Sequence, residues 1–141
     1  MDRIEARQRF AEARVAHLAT ICPDGSPHLV PCTFAVLDDW VVSVIDEKPK
    51  RTKDLQRLVN IRHYSNVSLL VDRYAEDWTR LWWVRVDGTA VIEEEGPERE
   101  AAIGALTAKY SQYVDEPPTG PAIVVVVDGW RWWAASPSAD T

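Results

Sequence analysis

The stretch HLATICPDGSPHLVPCTF, residues 17–34, decides how the rest of the chain is read. Pro23-Asp24-Gly25-Ser26 is a tight-turn signal: Asp hydrogen-bonds its own backbone, and Gly takes a positive φ without steric cost. The flanking runs, Val15 to Ile21 and His28 to Phe34, carry β-branched residues and alternate in size, so the stretch reads as a β-hairpin. With the turn centred on Asp24-Gly25, Cys22 faces Pro27 and Cys32 faces His17. The two sulfurs are then roughly 16 Å apart at the usual strand rise. That is beyond disulfide reach, and both cysteines are expected as reduced thiols.

Working outward, residues 2–13 read as a helix with Ile4, Phe10 and Ala13 as packing positions. Downstream, Asp38-Asp39 is a second turn, and Trp40–Ile45 a third strand that extends the hairpin into an antiparallel meander. Thr52 is the expected N-cap of a helix running to about His63. On it Leu55, Leu58 and Val59 share one side, and Lys53 and Arg57 the other. Asn66–Val71 and Leu81–Ile92 read as strands; in the second, Trp82, Val84, Val86, Ala90 and Ile92 alternate with Trp83, Arg85, Asp87 and Thr89. Pro97 opens a helix through Tyr110 with Ala102, Ile103, Leu106 and Tyr110 inward. Residues 114–121 read as a loop. Ala122–Val127 is a doubly buried strand, continued from Trp130 to Ala134 after a bend at Asp128-Gly129.

These elements resemble the pyridoxamine-phosphate-oxidase-like superfamily, the split-barrel flavin and deazaflavin oxidoreductases. The resemblance rests on Leu18-Ala19-Thr20, Asp24-Gly25, Pro27-His28, Pro31 and Phe34. Asn66–Asp72, Asp77-Trp78 and Leu81–Gly88 look most like the actinobacterial subgroup that uses the deazaflavin coenzyme F420. It implies a mainly β fold with flanking helices, a six-stranded antiparallel split β-barrel, and a homodimer with cofactor sites at its interface. One domain over residues 1–135 and a disordered tail at 136–141 are expected.

Composition is consistent with this reading. The chain of 141 residues is long enough to form one core. Seven tryptophans, five of them Trp82, Trp83, Trp130, Trp132 and Trp133, exceed the needs of one small core and favour an interface. A net charge of −6 argues against nucleic acid as partner. No run reaches the ~20 apolar residues of a membrane span. The charged N-terminus is unlike a signal peptide, so a cytoplasmic location is expected.

The chemistry-bearing cluster is basic: Lys48, Lys50, Arg51, Lys53, Arg57 and Arg62, six of sixteen basic residues, fall within one short segment of an acidic chain. Such a run reads either as a solvated helix face or as a phosphate site formed by helix N-terminal amides and flanking cations. The resemblance implies the latter, with Lys50, Arg51, Thr52, Lys53 and Arg57 holding the cofactor phosphate; whether Lys50 or Lys53 leads is open. It further implies that the cofactor ring lies against Pro31, Cys32 and Thr33. The implied activity is hydride transfer between F420 and a small organic substrate. FMN in an oxidase of the same fold, or a non-catalytic cofactor-binding barrel, are the alternatives. The residues show neither a metal-ligand set nor a Ser-His-Asp pattern, and no dedicated catalytic residue is assigned.

Overall fold

The computed structural model describes residues 1–46 and 55–136. Lys48, Lys50, Arg51, Thr52 and Lys53 of the basic segment, and most of the expected disordered tail, lie outside the described residues. The elements in chain order are α1 (Arg3–Glu12), β1 (Ala16–Ile21), β2 (Pro27–Cys32), β3 (Ala35–Leu37), β4 (Trp40–Val44), α2 (Gln56–His63), β5 (Asn66–Arg73), β6 (Trp82–Glu93), α3 (Pro97–Lys109), α4 (Gln112–Asp115) and β7 (Ala122–Ala134). Among the described residues seven strands form one antiparallel sheet in the order β2-β1-β5-β6-β7-β4-β3.

Two expectations are corrected here. The strand beginning at Pro27 does not run on into a meander. It breaks at Thr33-Phe34, so the segment supplies β2 at one edge of the sheet and β3 at the other, and seven strands replace six. The hairpin register also shifts by one: Ala16 pairs with Cys32, His17 with Pro31 and Ile21 with Pro27. The cause is the turn. The Gly25 amide donates to the Cys22 carbonyl at 2.7 Å and the Cys22 amide to the Ser26 carbonyl at 2.8 Å. Gly25 sits at φ +89°, which puts three residues between the paired ends and not two. Asp24 accepts from the Ser26 hydroxyl at 2.6 Å and the Ser26 amide at 2.9 Å; these bonds hold its carboxyl below the usual carboxylate range.

The shifted register decides which side chains enter the core. Ala16, Leu18 and Thr20 are buried on β1, facing Cys32, Val30 and His28 of β2. A single buried cluster joins Ala16 and Leu18 of β1, Val67 and Leu69 of β5, Val84 and Val86 of β6, Trp130 of β7 and Val41 of β4. Strands far apart in sheet order therefore share one interior, so the sheet curls around it. Helix α1 plugs this interior through Phe10, whose ring lies 4.9 Å from Phe34 and 5.4 Å from Trp130. Its N-cap is Asp2, which accepts the Glu5 amide at 2.9 Å. Ile4, an expected packing position, is 79% exposed; Ala6 and Arg9 face inward with Phe10 instead.

A second cluster forms on the other face of β4 and β7, where Ala102 and Leu106 of α3 and Tyr110, its C-cap, cover Val42, Val44, Ala122 and Val124. This makes the first half of β7 buried on both faces, as its unbroken apolar run requires. The bend in β7 is a bulge: Asp87 pairs with Gly129 and Gly88 with Val127, leaving Asp128 unpaired. Gly88 lies at that point in close contact with β7. A Cβ there would stand 2.5 Å from the Val126 carbonyl oxygen and 2.7 Å from Val125 Cγ1. Because backbone cannot move aside cheaply, Gly88→Ala is expected to destabilise the fold by about 1–3 kcal/mol; urea unfolding followed by far-UV circular dichroism measures it.

A candidate anionic-cofactor site at the strand break

The free edge of β2 is shaped by its prolines. The Cys22–Ser26 pair is hydrogen-bonded, so alternation makes Pro27, Leu29 and Pro31 the residues whose backbone points away from β1. Two of those three have no N–H, which protects the edge from strand addition. Thr33 follows at the same parity, and there the chain leaves the ladder.

The break is held by side chains from distant parts of the chain. The Phe34 amide donates to the Tyr110 hydroxyl at 3.2 Å, and that hydroxyl donates to the Arg14 carbonyl at 2.8 Å. The Ser43 hydroxyl donates to the Thr33 carbonyl at 2.8 Å. Thr33 Oγ1 lies 3.0 Å from the Tyr113 hydroxyl. Lys109 Nζ donates to the Phe34 carbonyl at 2.9 Å and stands 3.7 Å from the Phe34 ring centroid. Arg14 completes the group, donating to the Lys109 carbonyl at 2.8 Å. The break borders a cleft of about 670 Å³ lined by Arg14, Thr33, Lys109, Tyr110, Ser111, Gln112 and Tyr113.

The structure brings part of the expected site together. Pro31 is exposed on the edge, Thr33 is half-buried in the cleft wall, and Cys32 points inward. Burial pushes the Cys32 thiol up to about 11, against the opposing pull of the Arg57 guanidinium, the Ser43 hydroxyl and the Lys109 ammonium. A thiol so protonated is a poor nucleophile at neutral pH. The charges of Arg57 and Lys109, from α2 and α3, thus both act on Cys32.

Helix α2 departs from its expected form. Its N-cap is Leu55, with no side-chain capping bond, and not Thr52. Its inward face is Leu58, Asn60 and Ile61, while Leu55 and Val59 are half-buried. Arg57 lies three and four residues before Asn60 and Ile61, so it shares their side and is half-buried, not solvated opposite them. Among the described residues its buried Nε has no hydrogen-bond partner. Arg62 remains exposed and pairs with Glu94 at 3.2 Å.

Asn60 ties α2 to the hairpin. Fully buried, it donates through Nδ2 to Thr20 Oγ1 at 2.9 Å and to Cys22 Sγ at 3.6 Å, while Oδ1 accepts from Gln56 at 2.8 Å. Satisfying a buried amide in this way fixes the helix position, since an unpaired one would cost about 1–3 kcal/mol. Lys109, Tyr110, Tyr113 and Arg14 were not singled out as site residues. They lie 75 to 96 residues from the segments they join, or on the far side of the break, and no local pattern marks them. His28 is half-buried beside Thr20 with its Nδ1 unpartnered among the described residues. His17 is exposed, and His63 is exposed with its ring against Tyr64. Among the described residues no group of His, Cys, Asp and Glu could hold a metal ion.

The comparisons with known proteins agree with this architecture. The sequence pattern of the pyridoxamine 5'-phosphate oxidase family matches residues 3–134, and the chain belongs to that family. The structure is similar to a conserved hypothetical protein of Mycobacterium tuberculosis, at 24% identity and TM-score 0.78, over 96% of this chain and 86% of that one. A heme binding protein of Mycobacterium smegmatis aligns at 22% identity and TM-score 0.74, over 95% of this chain and 54% of that one. A FAD-binding protein of Mesorhizobium loti aligns at 19% identity and TM-score 0.70, over 94% of each chain. These likenesses establish the split-barrel fold. No curated protein matches the sequence.

The site has a pH signature. Burial, and then the Arg14 charge, lower the Lys109 pKa from 10.5 to about 8. The native state therefore releases this proton before the unfolded chain does, and stability rises with pH from about 8 upward. Cys32 acts oppositely: its thiol is raised from 9.0, so its contribution is intact below that pH and lost above it. Urea midpoints are expected to rise between pH 8 and 9, where Lys109 acts without Cys32, and to lose that rise in Lys109→Met.

Proposed function

We propose that the protein is an F420-dependent oxidoreductase, moving a hydride between the deazaflavin and a small organic substrate. The observation that carries the reading is Arg57, whose buried Nε has no partner among the described residues and whose charge acts on Cys32 of β2, in a family that contains flavin enzymes. A phosphate oxygen is the acceptor such a donor lacks. In this reading Arg57, with Lys50, Arg51, Thr52 and Lys53, holds the cofactor phosphate, and the edge at Pro31, Cys32 and Thr33 takes the ring. The resemblance of residues 66–88 favours the deazaflavin. The bound cofactor would supply the hydride chemistry, and the chain would position it and exclude water. FMN in an oxidase of this fold, and a barrel that binds a cofactor without turnover, are the competing readings.

Titration of the purified protein with F420, FMN and hemin in turn, followed by quenching of tryptophan fluorescence, separates these. Micromolar or tighter F420 binding with weak FMN and hemin binding is the expected result. Arg57→Ala is expected to weaken it roughly 10- to 100-fold through loss of a charge-assisted hydrogen bond. Preference for FMN moves the assignment to the flavin branch, and preference for hemin or binding of none sinks the oxidoreductase reading.

We further propose a homodimer built on the outer face of β2, β1, β5 and β6. Leu29 is 67% exposed, Leu70 36% and Tyr74 68%, and they line a groove of about 610 Å³ with His17, Trp83 and Arg85. Exposed apolar surface of this kind marks an association site. Sedimentation velocity should show a dimer for the native chain and a folded monomer for the double variant Leu29→Glu, Leu70→Glu.

A further inference from the structure

We propose that the cleft beside the strand break binds the oxyanion of a small organic molecule, a carboxylate or a phosphate ester, between Arg14 and Lys109. Used as the acceptor subsite, it names the substrate class of the oxidoreductase; that use, though not the anion site itself, rests on the reading above. The argument begins from charge. Acidic residues outnumber basic ones by 22 to 16 in the chain, yet the residues lining this cleft include two cations and no carboxylate. Neither Arg14 nor Lys109 forms an ion pair among the described residues.

Each cation is instead held in place by neutral groups. Lys109 Nζ donates to the Phe34 carbonyl and rests on the Phe34 ring, which leaves ammonium donors without an anionic partner. Arg14 is fixed through the Lys109 carbonyl and lies 5.4 Å from the Tyr110 ring centroid. Lys109 is half-buried and Arg14 exposed at the same cleft, where their like charges repel. That repulsion contributes to the lowered Lys109 pKa, and a bound anion would relieve it. The Tyr113 and Thr33 hydroxyls, 3.0 Å apart, add neutral donors to the same wall. Tyr110 and Tyr113, in edge contact at 5.8 Å, give the cleft an aromatic side suited to the body of an organic anion.

The test uses cofactor-free protein, so that it stands apart from the F420 assignment. Lysines labelled with 13C-methyl groups by reductive methylation are titrated by NMR at low ionic strength, alone and with benzoate, inorganic phosphate or neutral benzamide. Saturable binding of benzoate or of phosphate, with an upward shift of the Lys109 titration and no effect of benzamide, is expected. Which of the two binds tells carboxylate from phosphate. Lys109→Gln, which keeps a donor for the Phe34 carbonyl, and Arg14→Gln should each weaken binding about tenfold or more by calorimetry, with partial recovery in Arg14→Lys. Absence of saturation by both anions up to tens of millimolar, equal binding of benzamide, or unchanged affinity in both Gln variants would overturn the proposal. Failure of F420 to bind while benzoate binds would overturn only the acceptor role.

Discussion

The structure depends on the satisfaction of backbone groups where the chain crosses from one edge of the sheet to the other. At Thr33-Phe34 the ladder stops, and buried amides and carbonyls there must find partners or cost stability. The Tyr110 hydroxyl, Ser43 and Lys109 supply them. The same groups pin the C-terminal end of α3 against the break, which is why α3 covers β4 and β7 and not another part of the sheet. One polar knot thus sets the course of β2 and β3 and builds the wall of the cleft.

A second polar tie gives α2 its place. Asn60 joins the helix to Thr20 and Cys22 of the hairpin, and Gln56 completes its hydrogen bonding. An apolar residue at this position could bury as much surface but would not choose one orientation for the helix. Because Asn60 fixes the rotation of α2, Arg57 is half-buried and its charge acts on Cys32. The placement of one cation near the break therefore follows from a buried amide one turn away. Lys109 acts on the same thiol from α3, so two positive charges influence Cys32 in a chain that is acidic overall.

The two faces of the sheet divide the labour. The interior, with Phe10 packed between Phe34 and Trp130, and the α3-covered face of β4 and β7 bury the larger apolar side chains. The remaining outer face leaves Leu29 and Leu70 in water, beside the half-buried Trp83. The excess of tryptophan over core needs is partly resolved this way: Trp82 and Trp130 are interior, whereas Trp133 and Trp78 are 45% and 74% exposed.

What local pattern could determine, the sequence determined. Period-two alternation marked β6, a continuous apolar run marked the doubly covered half of β7, and Pro97 marked the start of α3, because each signal acts between near neighbours in the chain. The hairpin was legible for the same reason. Its register was not, since one residue of turn length depends on whether Gly25 or Asp24-Gly25 together take the positive φ. The crossing after Thr33-Phe34 that puts β3 at the far edge of the sheet, the half-burial of Arg57, and the gathering of Arg14, Lys109, Tyr110 and Tyr113 were decided by tertiary structure alone. Those contacts join residues up to 96 positions apart, and their energy comes from satisfying buried polar groups, which has no period along the chain.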